Sequence, residues 1–139
     1  MVALLATACS LGNSADAGSM NLYAATDKST LLVGDSMTIT VTARNVGYDP
    51  ITLTGPSDCL LYIEVLSAQV GVVWHSNGGC IGSTVTEELV PGQDKVQTFI
   101  WKGTDLGGDR LSSGFYQIRA VARVTGAAYI GPPLNIAIE

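Results

Sequence analysis

The chain has 139 residues and a formal net charge of −5; 47% of its residues are hydrophobic and only 14% are charged, a balance that excludes a disordered chain. Its seven Lys and Arg residues are scattered without a basic run, which excludes a nucleic-acid groove because counterion release needs clustered cations. Sixteen glycines and the lack of long Leu/Ala/Glu/Lys stretches favour short strands and tight turns over helices.

Residues 2–8 (VALLATA) are apolar and uncharged. They are too few to span a bilayer as a helix, and they read as the tail of a signal peptide ending in the small residues Ala6, Thr7 and Ala8. Cys9 follows at once. The run Leu5 to Cys9 resembles a bacterial lipoprotein signal, whose cysteine receives lipid and becomes the first residue. Secretion without an anchor, or a buried first strand carrying a free cysteine, are the alternatives. Residues 10–19 (SLGNSADAGS) are small and polar and read as a flexible tether. The expected plan is a signal remnant over 1–8, a lipidated Cys9 with its tether over 9–19, and one domain over 20–139.

Within that domain, residues 20–26 form an opening strand, with 31–33 as its continuation, and Gly34-Asp35 a turn. Residues 36–45 alternate cleanly: Met37, Ile39, Val41 and Ala43 face inward, while Thr38, Thr40, Thr42 and Arg44 face out. A turn-rich stretch to Pro56 holds a short extended piece, 51–53. Residues 60–75 read as a hairpin turning near 68–71, followed by a loop over 76–83. Strands follow at 84–89 and 96–101, separated by a Pro91-Gly92 turn. Residues 103–113 are a glycine-rich loop. Residues 114–124 alternate again, with Tyr116, Ile118, Ala120, Ala122 and Val124 inward and Gln117, Arg119 and Arg123 outward. A loop over 125–133 precedes a last strand at 134–138. Seven to nine short strands of this kind predict an all-β, immunoglobulin-like antiparallel sandwich. Tyr116, placed shortly after a loop and a glycine, suits a corner whose hydroxyl bonds to backbone.

With Cys9 assigned to lipid, Cys59 and Cys80 remain as a pair. The hairpin register that sets Val65 opposite Trp74 also sets Cys59 opposite Cys80, so the two sulfurs meet at the open end. Export provides the oxidising compartment in which such a bridge persists. Closing a loop of this size is worth about 3 kcal/mol in the chain-entropy model.

Gly71-Val72-Val73-Trp74, then Leu89-Val90-Pro91-Gly92-Gln93, the aromatic pair Phe99 and Trp101, and the run Leu111 to Ile118 (LSSGFYQI) together resemble the BsuPI-type intracellular proteinase inhibitor family. Asn45-Val46-Gly47, ending an early strand, fits the same pattern. The resemblance covers roughly residues 20–138. It implies a β-sandwich and an inhibitor of serine proteinases. Its matched motifs are core and turn residues, so it implies no inhibitory residue. The cysteine pair and the lipid signal depart from the family and point to a cell-envelope version.

His75 is the only histidine and reads as a surface residue, because no Gly-x-Ser-x-Gly elbow accompanies it. Asp105 and Asp109 flank Gly107-Gly108 but match no EF-hand spacing, so a solvated turn is expected. The cysteines and the lone histidine have no zinc-ligand spacing. No metal, cofactor or catalytic set is therefore expected. Tyr129 and Ile130 at the centre of the 125–133 loop, and Arg110 in the 103–113 loop, are the candidate contact residues. The expected function is an exported, membrane-tethered binding module whose partner is a protein, in the inhibitor reading a serine proteinase. A self-associating envelope component and a carbohydrate-binding module are the alternatives. If Cys9 carries the anchor, radiolabelled fatty acid will enter the wild-type chain in the producing cell, and Cys9→Ser will abolish the incorporation.

Overall fold

The computed structural model describes residues 19–76 and 80–139. The readings of 1–8 as a signal, Cys9 as a lipid site and 10–18 as a tether lie outside the described residues. The described chain is all-β: an immunoglobulin-like sandwich of two sheets. In chain order the strands are β1 (Met20–Thr26), β2 (Thr30–Leu31), β3 (Met37–Asn45), β4 (Ile51–Pro56), β5 (Leu61–Ser67), β6 (Gly71–His75), β7 (Thr84–Leu89), β8 (Asp94–Trp101), β9 (Gly114–Val124), β10 (Ala127–Ile130) and β11 (Leu134–Ile138).

The smaller sheet has the order β1-β3-β8, antiparallel throughout. The larger sheet is organised around β9. On one edge β9 pairs with β11 and then β10; on the other it pairs with β5 and, at Val124, with β4. Strand β7 extends the sheet from β4, and β6 from β5. Two short or late strands depart from the sequence reading. Residues 30–31 do not continue β1; the chain crosses to the other sheet, where Leu31 pairs with Ile138 in the parallel sense. Residues 127–130 form a strand rather than a loop. They return from β9 through a two-residue turn in which Thr125 and Gly126 both have positive φ, 49° and 86°. That geometry matches the twist of a hairpin, but it is costly for a β-branched residue such as Thr125.

The alternation read from the sequence is the alternation observed. Met37, Ile39, Val41 and Ala43 are fully buried from one sheet; Tyr116, Ile118, Ala120, Ala122 and Val124 are buried from the other. Trp101 is the largest fully buried side chain. It donates from Nε1 to the Thr104 carbonyl at 2.9 Å and faces Trp74 at a centroid separation of 6.1 Å. Each such large apolar side chain contributes about 1.5–3 kcal/mol by leaving water. Between β10 and β11 the chain passes close to β1 at Gly131, where a Cβ would stand 2.5 Å from the Leu22 carbonyl oxygen. Only glycine fits there. Tyr116 closes its corner by donating its hydroxyl proton to the Ser112 carbonyl at 2.7 Å.

Asn45 is the one buried polar residue among the described residues, and all its groups are engaged. Its Nδ2 donates to the carbonyls of Asp49 and Leu89, both at 2.8 Å, and its Oδ1 accepts from Gly47 N–H at 2.9 Å. Its backbone exchanges bonds with Gln93 and Gly92. One side chain thus ties the end of β3 to its own turn and to the β7–β8 turn. Asn45→Ala leaves at least two acceptors and a donor unmatched, and will lower unfolding free energy by about 2–4 kcal/mol in chemical denaturation, with an unchanged denaturant slope.

Candidate functional site

The hairpin register expected from the sequence is the one observed: Val65 faces Trp74. The Cys59–Cys80 disulfide is formed, with a Cα separation of 5.4 Å. Nearer the turn the register shifts, so that Val72 rather than Val73 faces Leu66. This bulge frees the Val73 carbonyl from the ladder, and it accepts from Leu106 N–H at 3.0 Å. The 103–113 loop thereby covers the outer edge of β6.

Alternation along β9 sends Phe115, Gln117, Arg119, Val121 and Arg123 to the outward face of the larger sheet. Neighbouring strands complete that face in register. Gln117 stands between Leu66 and Asn135, Arg119 beside Glu64, and Val121 between Tyr62 and Ile130. His75 follows Glu64 on the far side. One end of the face is dry: Cys59, Tyr62 and Val121 are buried there, with Cys80 packed against them. The disulfide is therefore a lid over outward-pointing side chains, and alternation alone does not anticipate this burial of Val121.

The middle of the face is charged. Arg119 Nε donates to Glu64 Oε1 at 2.8 Å, an ion pair with both side chains mostly shielded. Beyond Val121, at the far end of the face, Arg123 lies with its stem against Gly55, whose missing side chain makes the room: a Cβ there would stand 2.8 Å from Arg123 Cδ. Arg123 Nε and His75 Nδ1 are buried without a hydrogen-bond partner among the described residues. Burial, and secondarily the Glu64 carboxylate, push the Tyr62 phenol above its ordinary value, while Arg123 and Arg119 pull the other way.

The other end is apolar and open. Phe115 is 85% exposed. Beside it lies a hollow of about 650 Å³ walled by Leu66, Tyr116, Gln117, Asn135 and the Ser67-Ala68 turn. Gln117 Nε2 donates to Asn135 Oδ1 at 3.1 Å across this wall.

The contact residues expected from the sequence do not come together. Because 127–130 is a strand, Tyr129 and Ile130 point to opposite sides. Tyr129 packs against the core with its hydroxyl 3.5 Å from the Met20 carbonyl oxygen, whereas Ile130 lies half-exposed at the margin of the outward face. Arg110 sits in its loop with Nη2 3.3 Å from the Glu139 carbonyl oxygen. His75 is half-buried on β6. Asp105 builds its own turn, its Oδ1 accepting from Gly107 and Asp109 N–H groups at 2.9 Å. Among the described residues no group of three His, Cys, Asp or Glu residues is placed to hold a metal ion. Phe115 is the residue that sequence reasoning passed over. Its signal was an aromatic at an outward position of an alternating strand.

No protein-family model matches the chain, and no curated protein matches it. Solved structures share its architecture at low identity. The CARDB domain of the PF1109 protein from Pyrococcus furiosus, solved with di-metal ions, has a TM-score of 0.53 at 12% identity, over 86% of this chain and 87% of that one. The sporulation control protein Spo0M from Bacillus subtilis has a TM-score of 0.56 at 11% identity, over 88% of this chain and 50% of that one. A β-glucosidase from Erythrobacter marinus has a TM-score of 0.55 at 15% identity; the match covers 87% of this chain but 15% of the glucosidase. These likenesses establish the sandwich fold and go no further.

Tyr62 gives a pH prediction. The folded chain holds the phenolic proton more tightly than the unfolded chain, so this contribution to stability is whole below about pH 10 and is lost as pH rises through the folded-state value. Denaturation between about pH 8 and pH 11 will show that decline, and Tyr62→Phe will flatten it.

Proposed function

We propose that this chain is a protein-binding module that meets its partner through the outward face of the larger sheet, with Phe115 as the anchor. The observation that carries the reading is the exposure of Phe115 beside an open hollow, on the stretch of β9 that pairs with β11. Exposed aromatics on a rigid support make strong anchors, because little conformational freedom is left to lose on binding. Gln117 and Asn135 at the rim supply donors and acceptors that orient a bound chain. The disulfide suits an oxidising compartment, in keeping with export and a membrane tether at Cys9. The resemblance to the BsuPI-type family nominates serine proteinases as the partner class.

A second reading, carbohydrate binding, draws on the same residue: an exposed ring flanked by two side-chain amides is a platform on which a sugar can stack. Inhibition of a panel of serine proteinases, run beside thermal shifts with a panel of oligosaccharides, separates the two. The wild-type chain will inhibit at least one proteinase at near-stoichiometric ratio. Phe115→Ser will weaken that inhibition about tenfold or more while leaving stability within about 0.5 kcal/mol, as befits an exposed position. Inhibition unchanged in Phe115→Ser removes this face from the reading, and a sugar-dependent shift lost in the variant transfers it to the second.

A further inference from the structure

Arg123 differs from the other arginines of the described chain. Arg44 pairs with Asp94 and Arg119 with Glu64, each at 2.8 Å, and Arg110 reaches the Glu139 carbonyl oxygen. Arg123 has no such partner, and its Nε–H is buried without an acceptor. A buried donor left unmatched is costly, more so when it belongs to a charged group. The side chain is nonetheless held in place. Gly55 opens the space for its stem, and its own backbone N–H donates to the Leu60 carbonyl at 3.0 Å. Tyr62 lies diagonally across the ladder from it, 7% exposed, packed beneath the disulfide.

We propose that Arg123 and Tyr62 form an anion subsite on the outward face of the larger sheet, one that takes a side-chain carboxylate of the docked protein segment. The proposal rests on the docking face described above and names the chemistry of the partner that fits it. A guanidinium whose stem is already fixed presents a planar fork of donors, which matches a planar carboxylate. Tyr62 stays protonated well beyond neutral pH and so adds a neutral donor. Arg119 extends the positive field, although its Nε is engaged by Glu64. Glu64 also sets the limit on charge. Its carboxylate, with His75 opposite it on β6, lies next in the ladder, and it repels a doubly charged phosphate more than a singly charged carboxylate. Phe115 and Arg123 are eight positions apart on one strand, about 27 Å at the usual rise. A partner that reaches both therefore presents an apolar residue and an acidic residue at about that separation.

The test uses the full chain with ¹⁵N labelling and follows the Arg123 Nε–H resonance at about pH 7.5, where inorganic phosphate is mostly doubly charged. The probes are the acidic peptide acetyl-Asp-Glu-Asp-Glu-amide, its neutral counterpart acetyl-Asn-Gln-Asn-Gln-amide, and inorganic phosphate. The acidic peptide will shift the Arg123 resonance saturably and the neutral peptide will not. Tyr62→Phe, which keeps the ring and its packing, will weaken the response several-fold. Arg123→Lys, which keeps the charge and loses the fork, will weaken binding of the acidic peptide about tenfold or more, read from backbone amide shifts of the neighbouring residues. Three results overturn the proposal: an Arg123 resonance unmoved at millimolar acidic peptide, an equal shift with the neutral peptide, or a shift with phosphate at lower concentration than with the acidic peptide. Because the peptides carry no apolar side chain, the two readings fail separately. A silent Arg123 alongside Phe115-dependent inhibition removes the subsite alone. A responsive Arg123 alongside Phe115-independent inhibition removes the docking face alone.

Discussion

The structure depends on a single long strand having both of its edges paired. β9 runs for 11 residues and is hydrogen-bonded to β5 and β4 on one side and to β11 and β10 on the other. No other strand is shared by so many neighbours. Its inward side chains form the middle of the core, and its outward ones form the spine of the candidate site. A one-residue slip would send Tyr116, Ile118 and Ala120 into water and Gln117 and Arg119 into the core, so the register is strongly specified. The same slip would dismantle the outward face. Stability and site geometry are therefore set by one constraint.

The two sheets are held together by devices at different points of that frame. Trp101 and Trp74 fill the space between them, and Gly131 lets the backbone beyond β10 approach β1. Asn45 secures the turns at one end. Along one open side Lys95 of β8 and Glu87 of β7 form a 2.9 Å ion pair that joins the sheets and places charge beside two edge strands. Charged side chains at such edges discourage pairing with another chain. This bears against self-association along that side.

The outward face of the larger sheet is graded from end to end. At one end, under the disulfide, it is closed and dry, with the unmatched Arg123 Nε just beyond; in the middle it carries a shielded ion pair beside the unmatched His75 Nδ1; and at Phe115 it is apolar and open. A surface of this kind offers shape, charge and an exposed apolar ring. Parts of proteins as different as a glucosidase and a sporulation control protein share the architecture, so the frame by itself names no activity. What this chain does resides in the side chains displayed on the frame.

Much of the fold could be read from side chains alone. Period-two alternation marked the inward residues of β3 and β9, and one register linked Val65–Trp74 to the Cys59–Cys80 bridge. The position of Tyr116 signalled its corner. These features depend on local geometry, because a strand points successive side chains to opposite sides wherever it is placed. Three features were decided only in three dimensions. Thr125-Gly126 lacks the usual turn chemistry, so neither the β9–β10 hairpin nor the alternation that turns Tyr129 and Ile130 to opposite sides is legible locally. Residues 30–31 changed sheets because a free edge of β11 was available, which no local pattern records. The candidate site was the least legible. Alternation tells which residues turn outward. Which of them end up covered, as Val121 and Tyr62 are, or exposed, as Phe115 is, depends on what distant segments are packed over the sheet.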